Sequence, residues 1–142
     1  MNEDFVTYEL AIKLKEKGFK EECIAYYWEK INEHTPSFVV EDNMPEDGLS
    51  LLDLLSNHNQ AEWSPFIDAP TIPQVLKWLR KEKKIHIMID IWKVDVNDTN
   101  YKWGYDIVNL TTTKVDGCDT QCADTYEQAA LAGIEYCLDN LI

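Results

Sequence analysis

The sequence predicts an α+β fold in which a small antiparallel sheet of three or four strands packs against two or three helices, in the order α-β-(β)-α-β-β-α. Apolar residues recur at helical spacing directly after the capping residues Thr7, Thr71 and Thr125. The segment "KIHIMIDIW" places an isoleucine at every second position, which is the period of a strand. The chain has 142 residues, of which 45% are hydrophobic, and this suits a single domain over residues 1–142.

The first part of the chain predicts a helix and a hairpin. Thr7 caps a helix that runs to about residue 17, and Gly18 supplies the left-handed residue that ends it. The aromatic "ECIAYYW" predicts a strand over about residues 23–28, and "SFVVED" predicts a second strand that would complete the hairpin. Residues 41–69 contain "EDNMPEDG" and "AEWSPFIDAP", and these breakers predict a partly irregular segment.

The second part predicts a helix, a hairpin and a final helix. The helix after Thr71 tolerates Pro73 in its first turn, and its apolar residues share one face. "KIHIMIDIW" is followed by turn residues and by "YKWGYDIVNL", which predicts its antiparallel partner. "TTTKVDGCDTQCAD" is predicted to be a polar loop, and Thr125 with Gln128 forms a T-x-x-Q capping box for the last helix.

The charge is strongly negative and unevenly distributed. The formal net charge is −13: residues 1–70 carry −10, residues 71–93 carry +4 and residues 94–142 carry −7. A field of this sign repels phosphate backbones and anionic membranes, so nucleic acid and membrane are not the expected partners. The amino terminus lacks the pattern of a signal peptide and no apolar run is long enough to span a bilayer, so a cytoplasmic protein is expected.

A basic cluster interrupts the acidic chain. Lys77, Arg80, Lys81, Lys83 and Lys84 lie at the end of the predicted second helix, where cations complement the negative end of the helix dipole. The same cluster would also serve as a small anion site or as a docking patch for an acidic surface, including that of a second copy of this chain. The sequence leaves these alternatives open.

Aromatic residues concentrate on the predicted hairpin. They would either cover the sheet or form an exposed contact face, because tyrosine and tryptophan are favoured in both settings. We therefore predict an interaction surface from the basic and aromatic clusters together: Trp78, Arg80, Lys81, Lys83, Lys84, Trp92, Tyr101, Trp103 and Tyr105.

No motif assigns a catalytic, metal-binding or cofactor-binding residue. His86 shares a strand face with Asp90, but the sequence has no G-x-S-x-G, C-x-x-C, H-E-x-x-H or glycine-rich phosphate loop to accompany them. Cys118 and Cys122 supply two thiols, whereas structural zinc takes four ligands and a second pair is missing. The four sparse cysteines are expected to be reduced, with a reversible Cys118–Cys122 disulfide left open.

Several stretches carry a resemblance to a family. They are "YELAIKLKEKGFKEECIAYY", "DAPTIPQVLKWLRKEKKIHI" and "TYEQAALAGIEYCLDNLI", and about residues 30–65 are not matched. Together they resemble small uncharacterised proteins of Bacteroidetes genomes and of the phages and prophages of gut bacteria. The resemblance implies a phage or mobile-element context and assigns no catalytic residue.

The sequence therefore predicts a non-catalytic protein-interaction module with an accessory role. Its partner would be another protein or a second copy of the chain. Two alternatives stand beside this expectation: an enzyme for a small ligand centred on His86, and an acidic nucleic-acid mimic or nucleic-acid-binding module.

Overall fold

The predicted α+β class is confirmed in the computed structural model, which describes residues 2–28, 35–40, 66–93 and 101–142. The side chains described exclude those of residues 2, 92, 93 and 118–122. The described residues form three α-helices and two antiparallel sheets of three strands each. The chain divides into two compact units, an N-terminal unit, Met1–Thr71, and a C-terminal unit, Ile72–Ile142. Whether they act as the single predicted domain stays a prediction.

The N-terminal unit combines one helix with one sheet. The predicted hairpin is confirmed, because β1 pairs antiparallel with β2, and a short third strand pairs with the other edge of β1. This third strand lies in the segment predicted to be irregular, of which residues 41–65 are outside the described residues. The elements are a 3-10 turn at Asn2–Asp4, α1 (Tyr8–Glu16), β1 (Ala25–Trp28), β2 (Ser37–Val40) and β3 (Phe66–Asp68).

Helix α1 begins and ends as the sequence predicts. The Thr7 hydroxyl accepts a hydrogen bond from the Leu10 amide at 3.3 Å, which satisfies one of the amides left open at a helix start. Gly18 has a φ of 89°, in the left-handed region that ends many helices. Leu10 and Leu14 are buried beneath the helix, so its apolar stripe contributes to the core.

The C-terminal unit consists of a helix, three long strands and a second helix, in that order along the chain. The strand order is β4-β5-β6, and the last strand occupies most of the segment that was predicted to be a polar loop, so that prediction is wrong. Pairing with β5 gives this polar stretch its strand conformation despite its low strand propensity. The elements are α2 (Ile72–Glu82), β4 (Ile85–Lys93), β5 (Tyr101–Asn109), β6 (Val115–Ala123) and α3 (Tyr126–Asn140).

The β4–β5 register is unbroken. It runs from Ile85 opposite Asn109 to Lys93 opposite Tyr101, and at its start the Leu110 amide donates to the Lys84 carbonyl at 2.8 Å. Antiparallel pairs alternate between those that exchange backbone hydrogen bonds and those that do not. The even-numbered residues of β4 therefore direct their backbone polar groups toward β5, and the odd-numbered residues direct theirs away from it.

Both helices cover the isoleucine face of this sheet, which is the face that carries the odd-numbered isoleucines of β4, Ile85 to Ile91. Helix α2 packs on β4, whereas α3 packs on all three strands. Ile87 and Tyr105 are buried beneath α3, where a methyl group added to Gly133 would lie 3.0 Å from Ile87 Cγ2 and 3.2 Å from Tyr105 Cγ. The absence of a side chain at this glycine lets the helix approach the strands closely.

The start of α3 confirms the predicted capping box. The Thr125 hydroxyl accepts from the Gln128 amide at 3.1 Å. The Gln128 carboxamide accepts in return from the Asp124 amide at 3.1 Å, one residue before the position that this side chain usually reaches. Two backbone donors at the helix start are therefore satisfied by side chains.

Candidate interaction surface

The structure separates the predicted surface residues into buried and exposed groups. Trp78 and Tyr105 are both buried in the core of the C-terminal unit, Trp78 from α2 and Tyr105 from the centre of β5. They belong to the same apolar layer as Ile87, so the structure places them in the core and not at the surface. The side chain of Trp92 lies outside the described residues.

The exposed aromatic residues meet at one end of the sheet. Ile91 is 53% exposed, Tyr101 is 54% exposed and Tyr126 is 38% exposed. Trp103 is half-buried between them: it lies opposite Ile91 in the register, and its ring centroid is 6.2 Å from that of Tyr101 and 5.5 Å from that of Tyr126. We call Ile91, Tyr101, Trp103 and Tyr126 the sheet-end patch.

The ring packing in the sheet-end patch and the start of helix α3 explain why its rings restrict one another and why the patch is exposed. Both aromatic pairs are edge-to-face, the arrangement that aromatic rings prefer, so neighbouring rings restrict one another. Helix α3 begins at Tyr126 and covers the sheet at Ile87, which is buried. Ile91 lies beyond the first turn of this helix and is exposed. Lys102, beside the patch in sequence, pairs with Asp124 and gives the patch a charged neighbour.

The sequence identified Tyr101 and Trp103 but not Ile91 and Tyr126. Ile91 belongs to the isoleucine series of the predicted strand, and only the end of the helical cover distinguishes it from Ile87. Tyr126 lies within the predicted capping box, between Thr125 and Gln128. An aromatic residue in the first turn of a surface helix was the signal that could have suggested exposure.

The predicted basic cluster forms an exposed stripe. Lys77, Arg80, Lys81 and Lys84 are exposed, the first three on one face of α2 and Lys84 beyond its end, whereas Lys83 is half-buried with its ammonium 5.3 Å from the centre of the Trp78 ring. Within the described part of the chain, none of the five cations forms a salt bridge. We call these five residues the basic stripe; it leads from the solvent side of α2 to the residue before β4.

His86 lies on the opposite face of the sheet from the helices. It is half-buried, it faces Val108 in the register, and its Nδ1 is buried without a hydrogen-bond partner among the described residues. Asp90, four residues further along the strand on the same face, is exposed. The described residues also include no group of three or more histidine, cysteine or acidic side chains that could hold a metal ion.

Two cysteines are buried free thiols. Burial raises the pKa of Cys137 to about 12, with a smaller contribution from the Asp116 carboxylate. Burial also raises the pKa of Cys23, helped by the carboxylates of Asp68 and Glu21. Protonated, buried thiols are poor nucleophiles and poor metal ligands. The side chains of Cys118 and Cys122 lie outside the described residues, so their metal and disulfide alternatives stay predictions.

Comparison with known proteins adds no assignment. No protein-family model, curated protein or solved structure matches the chain. The likeness to a family of Bacteroidetes and their phages therefore stays a prediction. Among the helices described, none combines the length and the apolar character that crossing a membrane requires.

Proposed function

We propose that the chain is a non-catalytic protein-interaction module and that the sheet-end patch is its contact surface. The observation that carries this proposal is the clustering of Ile91, Tyr101 and Tyr126, all large and all exposed, around Trp103. Contiguous exposed apolar surface of this kind marks binding sites, and aromatic residues dominate the energetics of protein interfaces.

The composition of the patch supports a protein partner. Its residues are apolar at the centre, and the Lys102–Asp124 pair beside them supplies charge at the margin. Protein interfaces have this arrangement of an apolar centre and a polar rim. In line with the family resemblance, we place the module in the cytoplasm of a bacterium, as an accessory protein of a phage or mobile element.

The catalytic alternative has less support. His86 is the residue on which it depends, and its described neighbours on the same face are Met88, Asp90, Val108 and Asp106. None of them forms a hydrogen bond with its buried Nδ1. Acid–base or nucleophilic catalysis needs a second reacting group within hydrogen-bond reach. The proposal therefore assigns no catalytic role to the imidazole.

An affinity capture experiment tests the proposed function. The immobilised chain is exposed to a bacterial extract, and retained proteins are quantified by mass spectrometry for the natural sequence and for a Tyr101→Ser, Tyr126→Ser double variant. The control double variant, Leu110→Ser with Val115→Ser, removes exposed apolar side chains elsewhere in the same unit.

The patch variant should lose its partner by about tenfold or more, because each interface aromatic commonly contributes more than about 1 kcal/mol. The control should retain it. Equal recovery by both double variants would exclude the patch as the contact surface.

A further inference from the structure

The edge of the C-terminal sheet is a second binding feature of this unit. β4 has nine residues and, within the described part of the chain, pairs on one side only, with β5. Its odd-numbered residues direct their backbone amides and carbonyls toward the open side, as the Lys84–Leu110 hydrogen bond and the register require. An edge of this kind is a template for another strand.

The two edges of the sheet differ in how well they resist strand addition. β6 pairs with β5 through two register shifts, and such irregularities twist an edge and disrupt its row of donors. β4 has no register shift and no proline, and its exposed side chains include Ile91 and Met88 on opposite faces. Only the β4 edge therefore has the features of a strand acceptor.

The basic stripe indicates the charge of the incoming strand. α2 packs on β4, and the stripe ends at Lys84, directly before the first residue of that strand. Its cations form no salt bridge among the described residues. A strand added antiparallel to β4 would have its carboxyl end beside Lys84, so carboxylates at that end would meet the positive charge of the basic stripe.

We propose that β4 accepts an extended segment of a partner protein as a fourth, antiparallel strand, and that this segment carries acidic residues at its carboxyl end. Main-chain hydrogen bonds to the odd-numbered residues of β4 hold the segment, and the basic stripe sets its direction. The proposal rests on the proposed function, because it names the kind of segment that an interaction module of this shape would bind.

Charge favours this occupant over two others. Nucleic acid would meet the field of a chain with a net charge of −13. A second copy that paired β4 with β4 antiparallel about a two-fold axis would bring the carboxyl end of its own β4 beside Lys84. That end carries one acidic and one basic residue, Asp90 and Lys93, so it offers the basic stripe no net negative charge. A short acidic segment places its few carboxylates beside the basic stripe itself, whereas nucleic acid would extend its phosphates past the stripe into that field.

The test uses fluorescein-labelled peptides and fluorescence anisotropy. The probe is Thr-Val-Thr-Val-Thr-Val-Thr-Glu-Glu-Glu. One control replaces the three glutamates by lysines, and a second moves them to the amino end. A third carries an N-methyl group on every threonine and valine, so that it keeps its side chains and loses the backbone donors of both edges. The probe should bind at low salt, the lysine and reversed peptides at least tenfold more weakly, and the N-methylated peptide not at all.

Variants of the protein provide the matched comparison. Ile89→Pro removes one outward amide without removing a hydrogen bond to β5, because the Ile89 amide points away from that strand, and Ile89 lies outside the sheet-end patch. Ile89→Thr removes the same apolar side chain but keeps the amide. The threonine variant should bind the probe within about threefold of the natural chain, and the proline variant at least tenfold more weakly. If the proline variant does not fold, the N-methylated peptide decides the same question.

Several results would overturn the inference. They are equal binding of the acidic and lysine peptides, binding of the N-methylated peptide, preferential binding of a mixed oligonucleotide, and a chain that is already a dimer by light scattering and becomes monomeric on Ile89→Pro. None of them alters the capture experiment with the Tyr101→Ser, Tyr126→Ser variant. Failure of edge pairing can therefore be distinguished from failure of the proposed function.

Discussion

Replacing Gly133 by alanine sets helix propensity against packing at the point where α3 meets the sheet. Alanine in a helix interior is favoured over glycine by about 1 kcal/mol, so Gly133→Ala would stabilise an exposed helix. Here the new methyl group would lie 3.0 Å from Ile87 Cγ2 and 3.2 Å and 3.4 Å from Tyr105 Cγ and Cδ2. Both neighbours are buried in adjacent strands, so neither moves freely.

Overpacking of a well-filled core costs about 1–3 kcal/mol, which exceeds the gain in propensity. We expect Gly133→Ala to lower the free energy of unfolding by about 1 kcal/mol, and hence the urea midpoint by about 0.5 M for a slope near 2 kcal/mol per molar. Urea unfolding followed by circular dichroism measures this change. Ala132→Gly, the reverse exchange one residue earlier, measures helix propensity in the same helix.

The same exchange in an Ile87→Ala variant tests the contact between the new methyl group and Ile87. Ile87→Ala removes the Cγ2 atom, so in that variant Gly133→Ala should become neutral or stabilising, with a coupling of about 1–2 kcal/mol between the two sites. If Gly133→Ala instead stabilised the natural chain by the full propensity gain, the close packing of α3 on β4 and β5 would not be the reason for a glycine at this position.

Three further predictions concern a cap, a strained residue and a buried thiol. Thr125→Ala should lower the free energy of unfolding by about 1 kcal/mol in urea titrations, because the Gln128 amide loses its acceptor, whereas Thr125→Ser should restore most of it. Thr113 has a φ of 58°, which is costly for a β-branched residue, so Thr113→Gly should raise the urea midpoint while Thr111→Gly lowers it. A loss of stability in Thr113→Gly would contradict this reading. Cys137, with a pKa of about 12 against an ordinary value of 9.0, stays protonated in the folded chain when the unfolded thiol ionises. The folded state then holds more protons, so the free energy of unfolding should fall from about pH 9 to about pH 12. The fall should be shallower in Cys137→Ala, and an identical pH profile for both chains would count against the assigned burial.

The elements that could be predicted from the sequence are those with local signals. Thr7 and Gly18 mark the two ends of α1, and Thr125 with Gln128 marks the start of α3. The alternation in β4 is equally local, since every second residue is an isoleucine. Such signals depend on neighbours within a few residues and not on the remainder of the fold.

The features that could not be predicted depend on distant residues. β6 is polar and contains Gly117, so nothing local indicates a strand, and its conformation comes from pairing with β5 and from Tyr136 of α3, whose ring fills the space above the glycine. The sheet-end patch has the same origin. Ile87 and Ile91 are alike in sequence, and only the position where α3 begins leaves Ile91 exposed.

The alternation in β4 also has a consequence for how this protein can change in evolution. The side chains of Ile85 and Ile87 serve the core, while the backbone groups of the same residues point to the open edge. Exchange of one β-branched residue for another at these positions alters packing but leaves every outward amide and carbonyl in place. The sequence of this strand can therefore drift within the limits of folding while its edge stays the same, and under the proposed edge pairing the selection of partners falls to the side chains around it.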